Sequence, residues 1–417
     1  MESPHIAVIS FPGNNCEVES MRAIKDAGME PFYFRWNDDR SRLADAAGYF
    51  LPGGFSYEDR GRSGMVAARD SLMDFIGGEA ETGKVVIGNC NGAQILVESG
   101  IIPLDRGLQM SLARNAVMSG GGWVSPGFLS RWVWITPSAG RDRCATSDWQ
   151  GPMHLPLAHG EGRFTTKDKE VIAELRKNDQ IAFSYCAAEG HISDDPIVTP
   201  NGSMYAIAGL CNPQGNVVAL MPHPERTANG TPYFASLRKW VESKKTGRAT
   251  KTRKTTREKR WVLATRDARD HEVFIDTIIT NNEERTVEQT ARKYASGLRL
   301  KQWKYFAIAR DPKELLADLT VYNPHKERAF IRHGGRVSKW NPDSKCGESL
   351  SEADVARIFR GVRLLRRDEP DTGAASLGEG SETGVCYGCE GIAEVDLTPQ
   401  LLEVFANPHA STLERII

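Results

Sequence analysis

The segment from residue 85 to residue 96 constrains the fold more than any other part of the sequence. Its letters, VVIGNCNGAQIL, predict an apolar strand, a tight turn flanked by glycines and then a helix, with Cys90 at the apex of the turn. At the N-terminus of a helix, unpaired backbone N–H groups and the helix dipole stabilise the thiolate form of cysteine. Cys90 therefore stands where a catalytic nucleophile is expected.

A second motif supplies the groups that a cysteine nucleophile requires. The apolar run VVALM at residues 217–221 predicts a strand, and His223 and Glu225 follow it closely. A histidine can act as general base, and a carboxylate can fix its tautomer and favour its charged form. Alone, a cysteine in a glycine-rich turn is commonly a packing residue, and a Pro-His-Pro-Glu sequence is commonly a loop. Because both motifs follow predicted strands, together they favour a Cys90–His223–Glu225 triad.

Nearby residues are candidates for stabilising a negative tetrahedral intermediate. The backbone N–H groups of Asn91, directly after the nucleophile, and of Gly54, at the end of a neighbouring predicted strand, are candidate oxyanion-hole donors. His159, in the sequence AHGEGR, could compete for the role of base. No strand is predicted to lead into it, so we interpret His159 as a residue near the substrate at most.

The eight cysteines are scattered along the chain, which favours reduced thiols and a cytosolic protein. Four of them lack a catalytic setting in the sequence and are interpreted as structural thiols: Cys16, Cys144, Cys186 and Cys211. Cys386 and Cys389 have the spacing of a metal-binding pair. With Cys346 alone upstream, no second pair completes a zinc site, so we predict a turn with two packed thiols and no metal.

Residues 1–241 are predicted to form one domain. From residue 5 onward, short β-rich runs alternate with helical stretches, the pattern of an α/β fold with a mainly parallel sheet. In such sheets, ligands bind beyond the carboxyl ends of the strands. Gly54 and Cys90 both lie at predicted strand ends.

Residues 242–260 differ sharply in composition from the rest of the chain. They include nine Lys or Arg, two Glu and no large apolar residue, so we interpret them as an exposed basic linker. A nucleic-acid-binding arm is the alternative, which one basic run without interleaved aromatic residues supports weakly. The net charge of −1 gives no general attraction to nucleic acid or to a membrane surface, and no apolar run approaches the roughly 20 residues of a membrane span.

Residues 261–417 are predicted to form a smaller α+β domain. Strand-like runs near residues 273–279 and 303–309 flank a helix, and a second helix is predicted from Asp311 to Tyr322. The tripeptide Asn-Pro-His begins at residue 323 and again at residue 407, each time after a predicted helix and before an extended run. We interpret this as an internal repeat.

The two halves of the repeat are predicted to span residues 261–335 and 350–417. Residues 368–383, rich in Gly, Ser, Asp and Glu, are predicted to form a mobile loop.

The motifs match a known family. GNCNGAQ at residues 88–94 and PHPER at residues 222–226 resemble the two catalytic signatures of class I glutamine amidotransferases. Four further segments resemble the PurQ branch, the glutaminase subunit of phosphoribosylformylglycinamidine synthase: FPGNNC at 11–16, LPGGFSY at 51–57, AHGEGR at 158–163 and GLCNPQGNV at 209–217. The resemblance covers residues 5 to about 241 and implies a flavodoxin-like α/β domain.

The resemblance also implies a reaction. Cys90 would form a glutamyl thioester, His223 and Glu225 would complete the triad, and Gln94 and His159 would contact the substrate. The released ammonia would pass to a large PurL-like synthetase, which uses ATP and Mg²⁺ to form the amidine in purine biosynthesis. No glycine-rich phosphate loop or acidic metal cluster is evident in this sequence, so we expect no cofactor in this chain.

Two residues depart from the family pattern. Glu58 stands where the family usually has glycine, and Asn89 stands where an apolar residue is commoner. Neither removes a catalytic group, so they bear on rate or partner fit rather than on the type of reaction.

Residues 261–417 resemble, more weakly, two copies of the small PurS-type subunit that bridges glutaminase and synthetase. The alternative is an unrelated dimerisation module. For the whole chain, the alternatives to the synthase glutaminase are a glutaminase for another synthetase, a cysteine hydrolase on the same scaffold, and a non-catalytic assembly subunit.

Overall fold

A computed structural model describes residues 3–243 and 263–416. The described residues divide into two compact units: residues 3–118 with 125–243, and residues 119–124 with 263–416. Within the described residues each unit has hydrophobic core clusters of its own. Of the predicted linker, residues 242–260, the part from residue 244 onward lies outside the described residues, and Glu242 is the last residue of a helix.

The strands that precede the linker are β1 (His5–Ser10), β2 (Glu30–Arg35), β3 (Gly48–Leu51), β4 (Val85–Asn89), β5 (Ser111–Arg114), β6 (Val117–Ser119), β7 (Gly122–Val124), β8 (Leu129–Pro137), β9 (Met153–His159), β10 (Glu161–Thr165), β11 (Ile181–Cys186), β12 (Ile207–Cys211) and β13 (Val217–Leu220). The α-helices are α1 (Glu17–Asp26), α2 (Met65–Ala68), α3 (Ser71–Glu81), α4 (Asn91–Glu98), α5 (Lys169–Lys177) and α6 (Thr231–Glu242).

The main sheet of the first unit has the order β2-β1-β3-β4-β13-β12-β11-β8-β9. The first five strands in this order are parallel, and the remaining four continue the sheet in antiparallel pairs. The predicted α/β fold is confirmed, and the antiparallel extension qualifies the prediction of a mainly parallel sheet. The parallel half matters for the site, because β1, β3, β4 and β13 bring their carboxyl ends to one edge.

His159 ends a strand, contrary to the prediction that no strand leads into it. β9 has alternating burial and pairs along its whole length with β8. The sequence obscured it because Pro156 lies in its middle, and proline lacks the N–H that a central strand needs. Since β9 is the last strand of the sheet, its outer side pairs with no further strand of that sheet, and proline is tolerated at such an edge.

The strands after the linker are β14 (Thr265–Arg266), β15 (His271–Thr277), β16 (Arg299–Ile308), β17 (Glu327–His333), β18 (Arg336–Asn341), β19 (Cys346–Ser349), β20 (Val362–Asp368), β21 (Glu382–Glu390) and β22 (Ser411–Ile416). The α-helices are α7 (Asn282–Ala291), α8 (Lys313–Ala317), α9 (Glu352–Ile358) and α10 (Pro399–Phe405).

The sheet of the second unit has the order β14-β22-β20-β21-β16-β15-β17-β18-β19. In its first half β15 lies between β16 and β17, and in its second half β20 lies between β21 and β22, so the two halves share one strand order. They join through the antiparallel pair β16 and β21, where Trp303 is opposite Cys386. An internal repeat would give this common strand order. The repeat and its predicted boundaries stay a prediction.

The second predicted helix of this unit is shorter than the sequence indicated. α8 ends at Ala317, because Asp318 has an extended backbone and its carboxylate accepts a hydrogen bond of 2.8 Å from the backbone N–H of Thr320. The predicted run to Tyr322 is therefore a turn. None of the helices in the described ranges 3–243 and 263–416 is long and apolar enough to cross a membrane.

Candidate active site

Cys90 occupies a strained turn between β4 and α4. Its backbone dihedrals are φ 50° and ψ −106°, and its N–H donates a hydrogen bond of 2.7 Å to the carbonyl of Leu220 on β13. A Cβ on Gly92 would lie 2.0 Å from the carbonyl oxygen of Leu51, so only glycine allows this close approach of α4 to β3. A left-handed residue that presents its side chain at a strand-to-helix turn is the arrangement of a nucleophile elbow.

His223 and Glu225 follow β13, which pairs in parallel with β4. This pairing puts the residues after Leu220 beside those after Asn89. Nδ1 of His223 lies 2.6 Å from Oε1 of Glu225, and both side chains are buried. The second carboxylate oxygen, Oε2, accepts a hydrogen bond of 2.9 Å from the side-chain amide of Asn89.

The electrostatics of His223 suit a base that faces a thiolate. Burial by itself would lower its pKa, but the charges of Cys90 and Glu225 outweigh burial and, with the side chain of Cys16, raise the pKa of His223 well above 6.5. Its Nε2 is buried and has no hydrogen-bond partner among the described residues. The arrangement can therefore hold a proton on the imidazole and deliver it to a leaving group.

The predicted oxyanion donors lie at the ends of adjacent strands. Asn91 is the first residue of α4, and its side-chain oxygen accepts hydrogen bonds from Nδ2 of Asn14 at 3.2 Å and from the N–H of Ser56 at 3.1 Å. The bond from Ser56 ties the loop after β3, which carries Gly54, to the turn at Cys90, and the bond from Asn14 ties the loop after β1 to the same turn. The role of the backbone N–H groups of Asn91 and Gly54 as oxyanion-hole donors stays a prediction.

Gln94 lies on α4, and His159 is the last residue of β9. The side-chain amide of Gln94 donates to the carbonyl of Glu161, and its oxygen accepts a hydrogen bond of 2.9 Å from Nδ2 of Asn91. Burial, and secondarily the charge of His223, lower the pKa of His159 to about 3. Both ring nitrogens of His159 are buried and lack hydrogen-bond partners within the described part of the chain. A neutral imidazole of this kind is a poor base near neutral pH, and His223 fits that role better.

Cys16 is the residue that the sequence interpretation missed. Its Sγ, a ring nitrogen of His223 and a carboxylate oxygen of Glu225 lie within 4.8 Å of one another. The interpretation of Cys16 as a structural thiol did not anticipate this proximity. The position of Cys16 between a strand and a helix, as for Cys90, was the available signal. Gly53 lies between the two side chains: the N–H of Cys16 donates to the carbonyl of Gly53, and a Cβ on Gly53 would lie 3.1 Å from Sγ of Cys16 and 2.6 Å from a ring carbon of His223.

The same three side chains are the one set in the described ranges whose S, N and O atoms are close enough to share a metal ion. Cys386 and Cys389 are separated by three positions on β21. They therefore point to opposite faces of the sheet and cannot bind one ion together.

Glu58 lies in a loop of unusual backbone conformation. Tyr57, Glu58 and Asp59 have φ values of 52°, 57° and 54°, in the left-handed region that favours glycine. This conformation explains why a glycine would suit position 58. Burial, and secondarily the charge of Glu161, raise the pKa of Asp59 to about 7.

Comparison with known proteins places the first unit in a family. The sequence model of the CobB/CobQ-like glutamine amidotransferase domain matches residues 3–253. The phosphoribosylformylglycinamidine synthase subunit PurQ of Methanothrix thermoacetophila is 45% identical over 224 residues, which is 53% of this chain and 86% of that protein.

Two solved structures are also similar. The PurLQS structure from Thermotoga maritima has a chain 31% identical, with 57% of this chain and 99% of that chain covered and a TM-score of 0.45. A glutamine amidotransferase from the same organism is 15% identical, with 59% and 86% covered and a TM-score of 0.33.

The family match spans more than half of the chain, and the alignment covers most of the Methanothrix relative. The resemblance to a PurQ-like class I glutamine amidotransferase is confirmed. The chain belongs to the CobB/CobQ-like glutamine amidotransferase family.

Proposed function

We propose that this chain is the glutaminase component of phosphoribosylformylglycinamidine synthase and supplies ammonia to a synthetase in purine biosynthesis. The observation that carries the proposal is the pairing of Cys90, at a strained strand-to-helix turn, with the buried His223–Glu225 pair. The identity of 45% to a synthase subunit supports this choice of acceptor over others.

The proposed reaction begins with attack on the side-chain amide of glutamine. The Cys90 thiolate bonds to the amide carbon, and the carbonyl oxygen takes the negative charge beside the N–H groups of Asn91 and Gly54. His223 then protonates the nitrogen, the C–N bond breaks and ammonia leaves, which yields a glutamyl thioester. Water, deprotonated by His223, attacks the thioester, so that glutamate leaves and the thiol is restored.

Glu225 orients His223 and stabilises its charged form in this scheme. Gln94 and His159 are assigned to the glutamine-binding side. Support comes from the hydrogen bond that links Gln94 to the 158–163 segment and from the unpaired ring nitrogens of His159.

The proposal requires a second chain for the amidination. The relative from Methanothrix is described as a subunit, which supports an assembly with a large PurL-like synthetase that binds ATP and Mg²⁺. We assign the reaction to the cytoplasm, because all eight cysteines are free. The common strand order of the two halves supports a PurS-like bridging role for the second unit.

The test measures glutamine hydrolysis by the full chain with and without candidate synthetases. The proposal predicts hydrolysis that the purine synthetase stimulates and that a Cys90→Ala variant loses. If only a different synthetase stimulates hydrolysis, the ammonia acceptor is not the proposed one. If no hydrolysis is seen with or without a synthetase, a non-catalytic assembly subunit is favoured. A Cys346→Ala variant, which removes the exposed thiol, is the matched control.

A further inference from the structure

The second unit contains a cavity of about 180 Å³ against one face of its sheet. Strands β15, β17, β18, β20 and β22 and the helix α9 contribute residues to its lining. All of the lining residues belong to the second unit, so the cavity is a feature of that unit alone.

Aromatic and aliphatic side chains form most of the cavity wall. The rings of Phe274 and Phe359 lie 5.0 Å apart, edge to face. Phe359 also stacks on Trp303, with ring centroids 5.2 Å apart, so its position is fixed by packing. Val337 and Val355 complete the apolar wall. Such a wall suits a compact apolar group.

Two guanidinium groups also line the cavity, and they differ in their partners. Arg332 is paired with the buried carboxylate of Glu272, at 2.6 Å. That carboxylate also accepts a hydrogen bond of 2.7 Å from the hydroxyl of Tyr305. The guanidinium of Arg332 therefore has a counter-ion within the fold, namely Glu272.

Within residues 3–243 and 263–416, Arg363 has no such partner. Its Nε is buried without a hydrogen-bond partner, and no ion pair to it is found in those ranges. Burial and the nearby charge of Arg332 lower the pKa of Arg363, as expected for a cation that lacks a counter-ion. Arg363 is half-buried, so its guanidinium keeps some contact with solvent, and its planar donors match the oxygens of a carboxylate or phosphate.

We propose that this cavity binds a small organic anion, whose carboxylate or phosphate oxygens contact Arg363 and whose apolar body lies against Phe274 and Phe359. The site is independent of the proposed glutaminase reaction, since it uses none of the residues assigned to that reaction. Its selectivity comes from the combination of Arg363, for which no ion pair is found in the described ranges, and an apolar wall.

Titration calorimetry on the full-length protein tests the proposal with four probes: benzoate, phenyl phosphate, benzamide and inorganic phosphate. We expect benzoate or phenyl phosphate to bind at least about ten-fold more tightly than neutral benzamide, because a charge-assisted hydrogen bond contributes that much. Inorganic phosphate, which lacks the apolar body, should bind more weakly than phenyl phosphate. The tighter of the two aromatic anions identifies the natural ligand as a carboxylate or a phosphate.

Two variants locate the binding. Arg363→Met should weaken the tighter anion about ten-fold or more, whereas Arg360→Met should not, because Arg360 does not line the cavity. Val355→Phe should also abolish binding by filling the cavity, and it keeps the test valid if Arg363→Met does not fold. Equal affinity for benzoate and benzamide, unchanged binding in Val355→Phe, or no binding of either aromatic anion at about 10 mM would overturn the proposal.

Discussion

At the scale of single residues, the loop at residues 57–59 stores strain that bears on stability. Glu58 has a left-handed backbone, and its exposed side chain makes an ion pair of 2.8 Å with Arg60. Replacement by glycine removes the steric cost of the left-handed conformation and adds entropy to the unfolded chain. The first effect is roughly 1–2 kcal/mol and the second roughly 0.5–1 kcal/mol, so a small gain remains.

We therefore expect Glu58→Gly to raise the free energy of unfolding by about 0.5–1 kcal/mol. Urea denaturation of Glu58→Gly and Glu58→Ala measures this directly. Alanine keeps a Cβ at the left-handed position and loses the ion pair, so it should give no gain. Equal loss of stability in both variants would contradict the account of the loop.

Asp59 makes stability depend on pH. Its folded pKa of about 7 is raised above the unfolded value near 3.9. The folded state therefore holds the proton more tightly, and the stability contributed by this group is full below pH 4 and is lost as pH rises to about 7. The Asp59→Asn variant does not titrate, so it avoids this loss.

We expect Asp59→Asn to change the free energy of unfolding, relative to the natural chain, more favourably at pH 8 than at pH 5. The difference between the two pH values should be about 1–3 kcal/mol. Unfolding by urea at the two pH values provides the measurement. Asp74→Asn, which changes an exposed carboxylate on α3, is the control and should show no such difference. A pH-independent effect of Asp59→Asn would show that residue 59 does not titrate near neutral pH.

At the scale of secondary-structure elements, the site depends on how strand ends are joined. Asn89, the last residue of β4, donates to Glu225 after β13 and accepts a hydrogen bond of 3.1 Å from Tyr233 on α6. The departure from the family pattern at this position thus links three elements. An apolar residue there would leave the Oε2 atom of Glu225 and the Tyr233 hydroxyl without these partners.

We expect Asn89→Leu to lower kcat for glutamine hydrolysis about ten-fold, because a lost hydrogen bond to a buried carboxylate costs roughly 1–3 kcal/mol. KM should change little, since Asn89 is not assigned to substrate contact. Tyr233→Phe removes the second bond but keeps the first, so steady-state kinetics should show a smaller loss. A larger effect of Tyr233→Phe than of Asn89→Leu would argue against this role.

The elements around the nucleophile could be predicted from the sequence because their patterns are local. An apolar strand, glycines and a following helix are visible at Cys90, and the strand before His223 is equally clear. Strand order is not local, so the proximity of Cys16 to His223 could not be derived. β9 was missed because Pro156 obscures a strand that only an edge position permits.

In the second unit too, features set by neighbouring residues could be predicted from the sequence, and features set by residues far apart in the chain could not. Part of its pattern could be predicted, such as the strands near residues 273–279 and 303–309, whereas β18, β19, β20, β21 and α9 were not predicted. The early end of α8 depends on the side chain of Asp318, which a helical pattern does not reveal. The cavity beside Arg363 requires residues from five strands and a helix, so it becomes visible only in the fold.

At the scale of the whole molecule, each unit has its own core clusters and should fold by itself. The first unit contains all the residues assigned to glutamine hydrolysis. We expect a chain of residues 1–243 to fold, because a unit with its own core can fold alone. Its rate of reaction with a glutamine analogue should be within about three-fold of the rate of the full chain.

Circular dichroism and mass spectrometry of the truncated chain check this expectation. The matched control is the truncated chain with Cys90→Ala, which should fold and remain unlabelled. Failure of residues 1–243 to fold would show that the second unit is required for the stability of the first.

Peptide mapping of the full chain after reaction with a glutamine-analogue electrophile shows directly which cysteine is the nucleophile. We predict a single modified residue, Cys90, with protection by excess glutamine and a much slower reaction in His223→Asn. As a control in the same sample, the rate at which iodoacetamide modifies the exposed Cys346 measures the general reactivity of an accessible thiol. Modification at Cys16 or Cys346 in place of Cys90, or labelling that glutamine does not prevent, would contradict the assignment of Cys90 as the nucleophile.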